Sequence, residues 1–155
     1  MKVLFYIADN AESLWLLHKT IAMVTHGPYS HAELMFSNGI CYSAQPLEGT
    51  RFTDSITLDP KHWVWWNLAV SEQEEAALLD WCKSEAGCGY DYLGALRLRG
   101  TSATKWYCSE VCIAALDKNT KIHLPTYLSP NDFYRRLACL AGVHADGGEN
   151  RSQRI

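Results

Sequence analysis

The hairpin signal at Ser37-Asn38-Gly39 constrains the fold of this chain more than any other feature of the sequence. An Asn-Gly pair between two alternating stretches is the strongest short-range indication of a β-hairpin. Residues 31–36 alternate before it, and residues 40–44 follow it as the predicted returning strand. A two-residue turn at Asn38-Gly39 would set Glu33 opposite about Ala44. The pattern therefore predicts an antiparallel sheet built around this hairpin.

The remaining segments predict further strands and several helices. Residues rich in β-branched and aromatic side chains indicate strands at 2–8, 50–58 and 63–70. Capping residues and helical periodicity indicate helices over about 9–24, 71–86, 108–116 and 129–140, with a short helix or turn at 90–97. We expect one α+β domain over residues 1–144, a small antiparallel sheet or half-barrel packed on helices, and a frayed polar tail over 145–155.

Charge and hydropathy exclude some classes of function. The formal net charge of -3 is unlike the basic face that a large nucleic-acid interface needs, so no nucleic-acid partner is predicted. No apolar stretch reaches membrane-spanning length, and the first residues lack the pattern of a secretory signal. We therefore expect a protein made in the cytoplasm, which would need another route to act elsewhere. The oligomeric state is not predicted.

The six cysteines are expected to be reduced thiols, because the chain is large enough to fold without disulfide bonds. Cys108 and Cys112 lie four residues apart on one predicted helix, which is half of a metal site. A zinc site that uses both with a histidine is the least favoured interpretation, since no second ligand pair is evident. No metal or other cofactor is predicted.

Cys108 stands where a short aromatic run ends and a helix begins. Unpaired N–H groups and the positive end of the helix dipole lie in that first turn. Both favour the thiolate, which is the nucleophilic form of cysteine, and the same N–H groups could receive an oxyanion. The alternative is a buried structural thiol, a common state for free cysteine. Trp106, Tyr107 and Tyr29 are predicted to contact a substrate.

A nucleophilic cysteine needs a base, and the base needs a group that orients it. His31 opens a predicted strand and is the best-placed imidazole. Glu33 projects from the same face of that strand, with its Cα roughly 6.6 Å from that of His31. Ser43 lies on the returning strand near the same end. Either residue could orient His31, and the sequence does not decide between them.

Three motifs together carry a resemblance to a known family. They are Pro28-Tyr-Ser-His-Ala-Glu-Leu34, Gly39-Ile-Cys-Tyr-Ser-Ala44 and Trp106-Tyr-Cys-Ser-Glu-Val111. In this order they resemble the circularly permuted papain-like branch of the NlpC-type peptidase superfamily, which includes YiiX-like proteins and relatives of lecithin:retinol acyltransferase. In that branch the histidine strand precedes the cysteine helix.

The resemblance implies a papain-like fold in which Cys108 is the nucleophile and His31 the base. It places the third catalytic position at Ser43, where many relatives have Glu or His, so Glu33 is a plausible substitute. It also implies hydrolysis or transfer at an amide, ester or thioester through an acyl-enzyme. Many relatives cut cell-wall peptides, and some act on lipids.

Three functions remain in competition on these grounds. The first is a thiol hydrolase that acts on an amide bond such as that of a cell-wall peptide. The second is a non-catalytic member of the same fold that binds a ligand or a partner protein, suggested by Ser43 at the third position. The third is a lipid esterase or acyltransferase. Glu110, in the first turn of the cysteine helix, is expected to complement the helix dipole or to pair with Arg51.

Overall fold

The computed structural model describes residues 1–8, 23, 25–54, 56–97, 100–142 and 152–154. Its strands, in chain order, are β1 (Lys2–Ile7), β2 (Tyr29–Met35), β3 (Cys41–Gln45), β4 (Gly49–Thr53), β5 (Trp63–Asn67), β6 (Gly89–Tyr90), β7 (Lys105–Trp106) and β8 (Ser152–Arg154). Its helices are α1 (Glu72–Ser84), α2 (Tyr92–Arg97), α3 (Cys108–Asn119) and α4 (Pro130–Leu140). The fold is mixed α+β, as predicted. The helix predicted over residues 9–24 lies outside the described residues, apart from position 23.

The larger sheet has the strand order β4-β3-β2-β1-β5-β8. Strands β1 to β5 pair in antiparallel fashion, with Phe5 opposite Ala32 and Leu34 opposite Tyr42. The predicted strands are all present, although β4 and β5 end earlier than expected. β2 is therefore a central strand with neighbours on both sides, and this strand carries His31.

The turn between β2 and β3 differs from the prediction by one residue. The backbone N–H of Phe36 donates to the carbonyl of Ile40 at 2.9 Å, which leaves a three-residue loop between them. Gly39 has φ 89°, the left-handed conformation that such a loop requires at its last position. Since Leu34 is opposite Tyr42, Glu33 falls level with Ser43 rather than with Ala44.

The two faces of the sheet pack against different partners. Val3, Phe5, Leu34 and Tyr42 belong to the main core, which they share with buried residues of α1, α3 and α4. The opposite face carries a smaller apolar cluster built around Leu4, Met35 and Cys41. Strand alternation explains this division, because successive side chains point to opposite faces.

The helix boundaries follow the capping signals in the sequence. Ser71 accepts a hydrogen bond from the N–H of Glu74 and Glu74 accepts one from the N–H of Ser71, which is the predicted capping box of α1. Ser129 caps α4 by accepting a hydrogen bond from the N–H of Asp132, with Pro130 in the first turn. These local signals are confirmed because each depends on residues within one helical turn.

Two strand pairings were not predicted. Strands β6 and β7 form a short parallel pair, and β8 pairs in parallel with β5, with Trp65 opposite Ser152. β8 falls within the segment that we expected to be a frayed tail, so the structure differs from that prediction at residues 152–154. An open strand edge offers unpaired backbone groups that a polar segment can satisfy without apolar side chains.

Candidate active site

Cys108 is the first residue of α3 and is buried, with 4% of its surface exposed. Tyr107, directly before it, has an extended backbone and serves as the N-cap residue. The first hydrogen bond of the helix runs from the N–H of Val111 to the carbonyl of Tyr107. The N–H groups of residues 108–110 therefore precede the helical ladder, as the sequence predicted, and the backbone of Ser109 hydrogen-bonds the thiol.

An opening between β2 and β3 brings this helix start to the sheet. The backbone ladder between the two strands covers Leu34–Tyr42 and Met35–Cys41. Beyond it, the carbonyl of Ala32 accepts the Ser43 hydroxyl at 2.6 Å and the Cys112 thiol at 3.6 Å. The Ser43 side chain of β3 and the Cys112 side chain of α3 thus donate to this carbonyl in place of backbone N–H groups. Helix α3 packs against both strands. Its first residue lies beside the start of β2.

His31 and Glu33 form a hydrogen-bonded pair within β2. Nε2 of His31 lies 3.0 Å from Oε1 of Glu33, and both side chains are buried. With Nε2 engaged, Nδ1 is the ring nitrogen left to face the Cys108 thiol. The structure thus brings three of the predicted site residues into one chain of contacts, Cys108–His31–Glu33.

The electrostatics of this chain favour a thiolate and an imidazolium. Burial acts to lower the pKa of His31, but hydrogen bonds with Cys108 and then Glu33, together with their charges, raise it to about 10. Burial acts to raise the pKa of Cys108, but His31 and backbone hydrogen bonds from Ala32 and Ser109 hold it below its usual value. Each group stabilises the charged form of the other.

Cys112, one helical turn further along α3, has the opposite electrostatics. Burial, followed by the charges of Cys108 and Glu33, holds the pKa of Cys112 well above its usual value. Its thiol donates to a backbone carbonyl and has no imidazole beside it. The two thiols share a helix, but only Cys108 has the surroundings of a nucleophile.

Ser43 is close to the site, but its hydroxyl is used differently from the expectation. It donates to the Ala32 carbonyl, and it contacts Cys112 rather than the His31 ring. Its contact with the strand follows from the one-residue register difference described above. Among the described residues, Glu33 is the one that holds His31 through Nε2.

The three predicted substrate-contacting residues lie in different surroundings. Tyr29 packs between Phe5 and Tyr134, with ring centroids 5.6 and 4.6 Å away. Tyr107 is buried, and its hydroxyl has no hydrogen-bond partner among the described residues. Trp106 is half-buried and donates through Nε1 to Glu85 at 3.0 Å. Their role toward a substrate stays a prediction.

Asn131 is a buried residue that supports the site, and the sequence did not predict this role. Its side-chain oxygen accepts from the N–H of Tyr29 at 2.9 Å, and its NH₂ group donates to the Tyr29 carbonyl at 2.8 Å. The same NH₂ group contacts the Thr25 hydroxyl at 2.6 Å. These contacts fix the chain two residues before His31. An asparagine in the first turn of a helix gives no sequence signal for such a distant contact.

Asp91 supports the other side of the site, where it holds the loop that leads to β7. Its carboxylate accepts from the N–H of Gly94 at 2.8 Å and from the N–H and hydroxyl of Thr101 at 2.9 and 2.6 Å. These hydrogen bonds hold the pKa of Asp91 below its usual value, against the effect of burial. Tyr90, the preceding residue, lies close to Cys108. Burial raises the pKa of the Tyr90 hydroxyl, and the charge of the Cys108 thiolate raises it further.

Glu110 complements the start of α3, and its predicted pairing with Arg51 is wrong. Its Oε2 accepts from the N–H of Tyr107 at 3.3 Å. Arg51 instead pairs with Glu48, with Nε 2.6 Å from Oε2. Glu48 lies on the β3–β4 turn and Arg51 three residues later in β4, so that ion pair forms locally.

The described ranges contain no group of three or more His, Cys, Asp or Glu side chains that could hold a metal ion. No helix within those ranges is long and apolar enough to cross a bilayer. No protein-family model matches the chain, and no curated protein matches it.

Proposed function

We propose that this protein is a cysteine-dependent hydrolase or acyltransferase of the permuted papain-like type. The observation that carries the proposal is the Cys108–His31–Glu33 chain of contacts at the start of α3. A nucleophile, a base and a group that orients the base are the parts that acyl transfer by a thiol requires. The proposed substrate is an amide, in particular a cell-wall peptide bond.

The proposed reaction begins with the thiolate form of Cys108. Its sulfur attacks the substrate carbonyl carbon, and the N–H groups at the start of α3 are positioned to stabilise the oxyanion. His31 then gives its proton to the leaving amine as the C–N bond breaks, which leaves a thioester on Cys108. Neutral His31 takes a proton from water, the resulting hydroxide attacks the thioester, and the acid and the thiolate are released.

Glu33 has a positioning role in this proposal. Its carboxylate accepts from Nε2 of His31 at 3.0 Å, so Nδ1 is kept toward the sulfur. The negative charge also stabilises the imidazolium that donates to the leaving group. Ser43, the third position implied by the resemblance, is proposed to hold the Ala32 carbonyl at the mouth of the strand opening.

The direct test is to trap the acyl-enzyme on the intact protein. A panel of activated esters, acyl thioesters and short cell-wall peptides is incubated with the protein, and adducts are located by mass spectrometry. We expect one acyl group on Cys108, none in Cys108→Ala, and an unchanged yield in the matched control Cys112→Ala. An adduct that persists in Cys108→Ala, or no adduct with any substrate, would contradict the proposal.

A non-catalytic binding protein of the same fold is the second candidate. The burial of Cys108 favours it, because 4% exposure limits the approach of a substrate carbonyl. Alkylation separates the two candidates. A hydrolase should react at Cys108 with both iodoacetamide and a bulky maleimide, whereas a closed, non-catalytic site should react with neither.

The cytoplasm is the proposed place of action unless the protein is delivered elsewhere.

A further inference from the structure

A second cleft lies on the side of α3 that faces away from Cys108. Its volume is about 410 Å³, and its lining includes Gly100, Trp106, Glu110, Asp117 and Tyr127. Glu110 and Asp117 are two helical turns apart on one face of α3, and Cys108 lies on the opposite face. This cleft is therefore separate from the site described above.

Glu110 is a buried carboxylate that lines this cleft. Its residue is 3% exposed, and no described residue forms an ion pair with it. Its Oε2 accepts from the N–H of Tyr107, while Oε1 has no hydrogen-bond partner in the described ranges. Burial of the ionised carboxylate without a cation is costly, so a positive charge that entered the cleft would stabilise this form.

Gly100 packs closely against this carboxylate and the neighbouring ring. A Cβ at position 100 would come within 2.6 Å of Oε1 of Glu110 and within 2.7 Å of the Tyr127 ring. The conformation of Gly100 does not require glycine, so the absence of a side chain matters for space alone. Any other residue at position 100 would therefore displace the Glu110 carboxylate or the Tyr127 ring.

The walls of the cleft suit an apolar stem. Trp106 and Tyr127 present aromatic surface, to which alkylammonium groups bind well. Asp117 adds a second carboxylate, part of which is engaged by His123 at 3.0 Å. Lys118 also borders the cleft, but its ammonium lies over the Trp81 ring, 4.9 Å from the centroid.

We propose that this cleft binds a ligand that carries a primary ammonium group on a short apolar stem. Oε1 of Glu110 receives the ammonium, Asp117 adds negative charge along the cleft, and Trp106 and Tyr127 enclose the stem. A volume of about 410 Å³ holds a small molecule or one side chain of a peptide. The proposal goes beyond the hydrolase and does not depend on Cys108.

The charge of Glu110 gives the binding a characteristic pH dependence. Burial, with a further contribution from Asp91, raises the pKa of Glu110 to about 7, against the lowering effect of the Tyr107 N–H. Asp117, Lys118 and Tyr127 also border the cleft. An ammonium ion binds the ionised carboxylate, so affinity increases as pH rises through 7 and binding releases a proton.

The test is an NMR titration of the full-length protein with n-butylammonium, monitored at the indole N–H of Trp106. We expect saturable shifts with a dissociation constant of about 1–10 mM, which is reasonable for a ligand of this size. Affinity should be roughly thirtyfold weaker at pH 5.5 than at pH 8, because little of the carboxylate is ionised at the lower pH. n-Butanol and butyrate should not saturate.

Variants identify the site. Glu110→Gln removes the charge with little change in shape, and Gly100→Ala displaces the Glu110 carboxylate or the Tyr127 ring without changing the charge; both should abolish saturation. The control Asp80→Asn changes an exposed carboxylate on α1 that pairs with Lys83 and should leave it intact. Thermal melts establish that each variant is folded. Equal affinity in Glu110→Gln, or equal binding of n-butanol, would overturn the proposal.

Cys108→Ala separates this proposal from the hydrolase. It should bind n-butylammonium as the unsubstituted protein does, since the thiol lies on the other face of α3. Loss of ammonium binding in Glu110→Gln with acyl transfer retained would support two independent sites. Loss of binding in Cys108→Ala would contradict the separate cleft.

Discussion

The starts of α1 and α3 use the same local motif in opposite environments. In each, a glutamate three residues after the N-cap accepts a hydrogen bond from the N-cap N–H. In α1 the bond joins Ser71 to Glu74 at 2.8 Å and is exposed, and in α3 it joins Tyr107 to Glu110 at 3.3 Å and is buried. Sequence spacing is the same in both, but the two starts differ in burial and in the cap side chain, since the Ser71 hydroxyl hydrogen-bonds Glu74 whereas the Tyr107 side chain caps nothing.

As a result, the pKa values of the two glutamates are shifted in opposite directions. Hydrogen bonds from the backbone and then the side chain of Ser71 hold the pKa of Glu74 below its usual value. Burial raises the pKa of Glu110 to about 7. In water the motif stabilises a helix, whereas within the fold it places a costly charge in the cleft. A capping motif read from sequence therefore predicts a helix start but not the chemistry at that start.

The largest expected effect is that of His31→Ala on the buried helix start. Without the imidazolium, the pKa of Cys108 should return toward that of an ordinary or buried thiol. Alkylation of Cys108 at pH 6 should then slow about 100-fold, because the thiolate fraction falls by that order. Mass spectrometry of the alkylated peptides measures the rate.

The matched control is His123→Ala, which removes a 71% exposed imidazole that pairs with Asp117 on the same helix. It should leave the rate of Cys108 alkylation unchanged. If both variants slow alkylation equally, the low pKa of Cys108 does not come from His31, and the contrast between the two helix starts loses its main support.

The next effect distinguishes Glu33 from Ser43 as the group that orients His31. Glu33→Gln removes a negative charge that raises the pKa of His31, so the imidazolium becomes less stable and the pKa of Cys108 rises. The pH profile of Cys108 alkylation should move to higher pH, with a rate about tenfold lower at pH 6. Ser43→Ala should leave the profile in place. The opposite result would make Ser43 the orienting residue.

A smaller effect concerns the dependence of stability on pH. The pKa of Glu110 is raised in the folded protein, from the usual value of 4.5 to about 7. Glu110 therefore stabilises the folded protein at pH values below its unfolded pKa, and this contribution is lost as pH rises through about 7. The loss from pH 5 to 8 should be about 1–2 kcal/mol. Glu110→Gln should remove it, as urea unfolding at several pH values would measure.

Glu74→Gln is the matched control for that measurement. Because the pKa of Glu74 is lowered, its contribution is present above the unfolded pKa and is lost only as pH falls through the folded value. The change in stability between pH 5 and 8 should therefore be the same as in the unsubstituted protein. Similar behaviour of the two variants would mean that burial does not distinguish the two caps.

The smallest effect is that of Ser71→Ala at the exposed helix start. Loss of the side-chain acceptor for the Glu74 N–H should lower the free energy of unfolding by about 0.5 kcal/mol, the low end for an exposed N-cap. Urea unfolding at pH 7 measures it, and the rate of Cys108 alkylation serves as the control. A change in that rate would show that the two helix starts are coupled.

The sequence predicted those parts of the fold that depend on neighbouring residues. Ser71, Ser129 and Pro130 mark helix starts, and each lies within one turn of the groups it contacts. Cys108 was expected at the start of a helix for the same reason, and it is there.

The parts that the sequence did not predict depend on contacts between distant residues. The turn at Gly39 holds one residue more than expected, because an Asn-Gly pair is compatible with both two- and three-residue loops. The pairing of β8 with β5 depends on an open edge that no local pattern specifies. The choice between Glu33 and Ser43 required the position of the His31 ring, which strand alternation alone does not give.

The hydrogen bonds between the Asn131 side chain and the Tyr29 backbone have a consequence for synthesis of the chain on the ribosome. The Asn131 side chain hydrogen-bonds the backbone of Tyr29, which is 102 residues away in the sequence, and His31 is two residues after Tyr29. Contacts so far apart in sequence form late, because the intervening chain must first be ordered. We therefore expect a nascent chain that has exposed Cys108 but not yet α4 to carry an ordinary thiol. The lowered pKa of Cys108 would then be acquired only after residue 131 has left the exit tunnel.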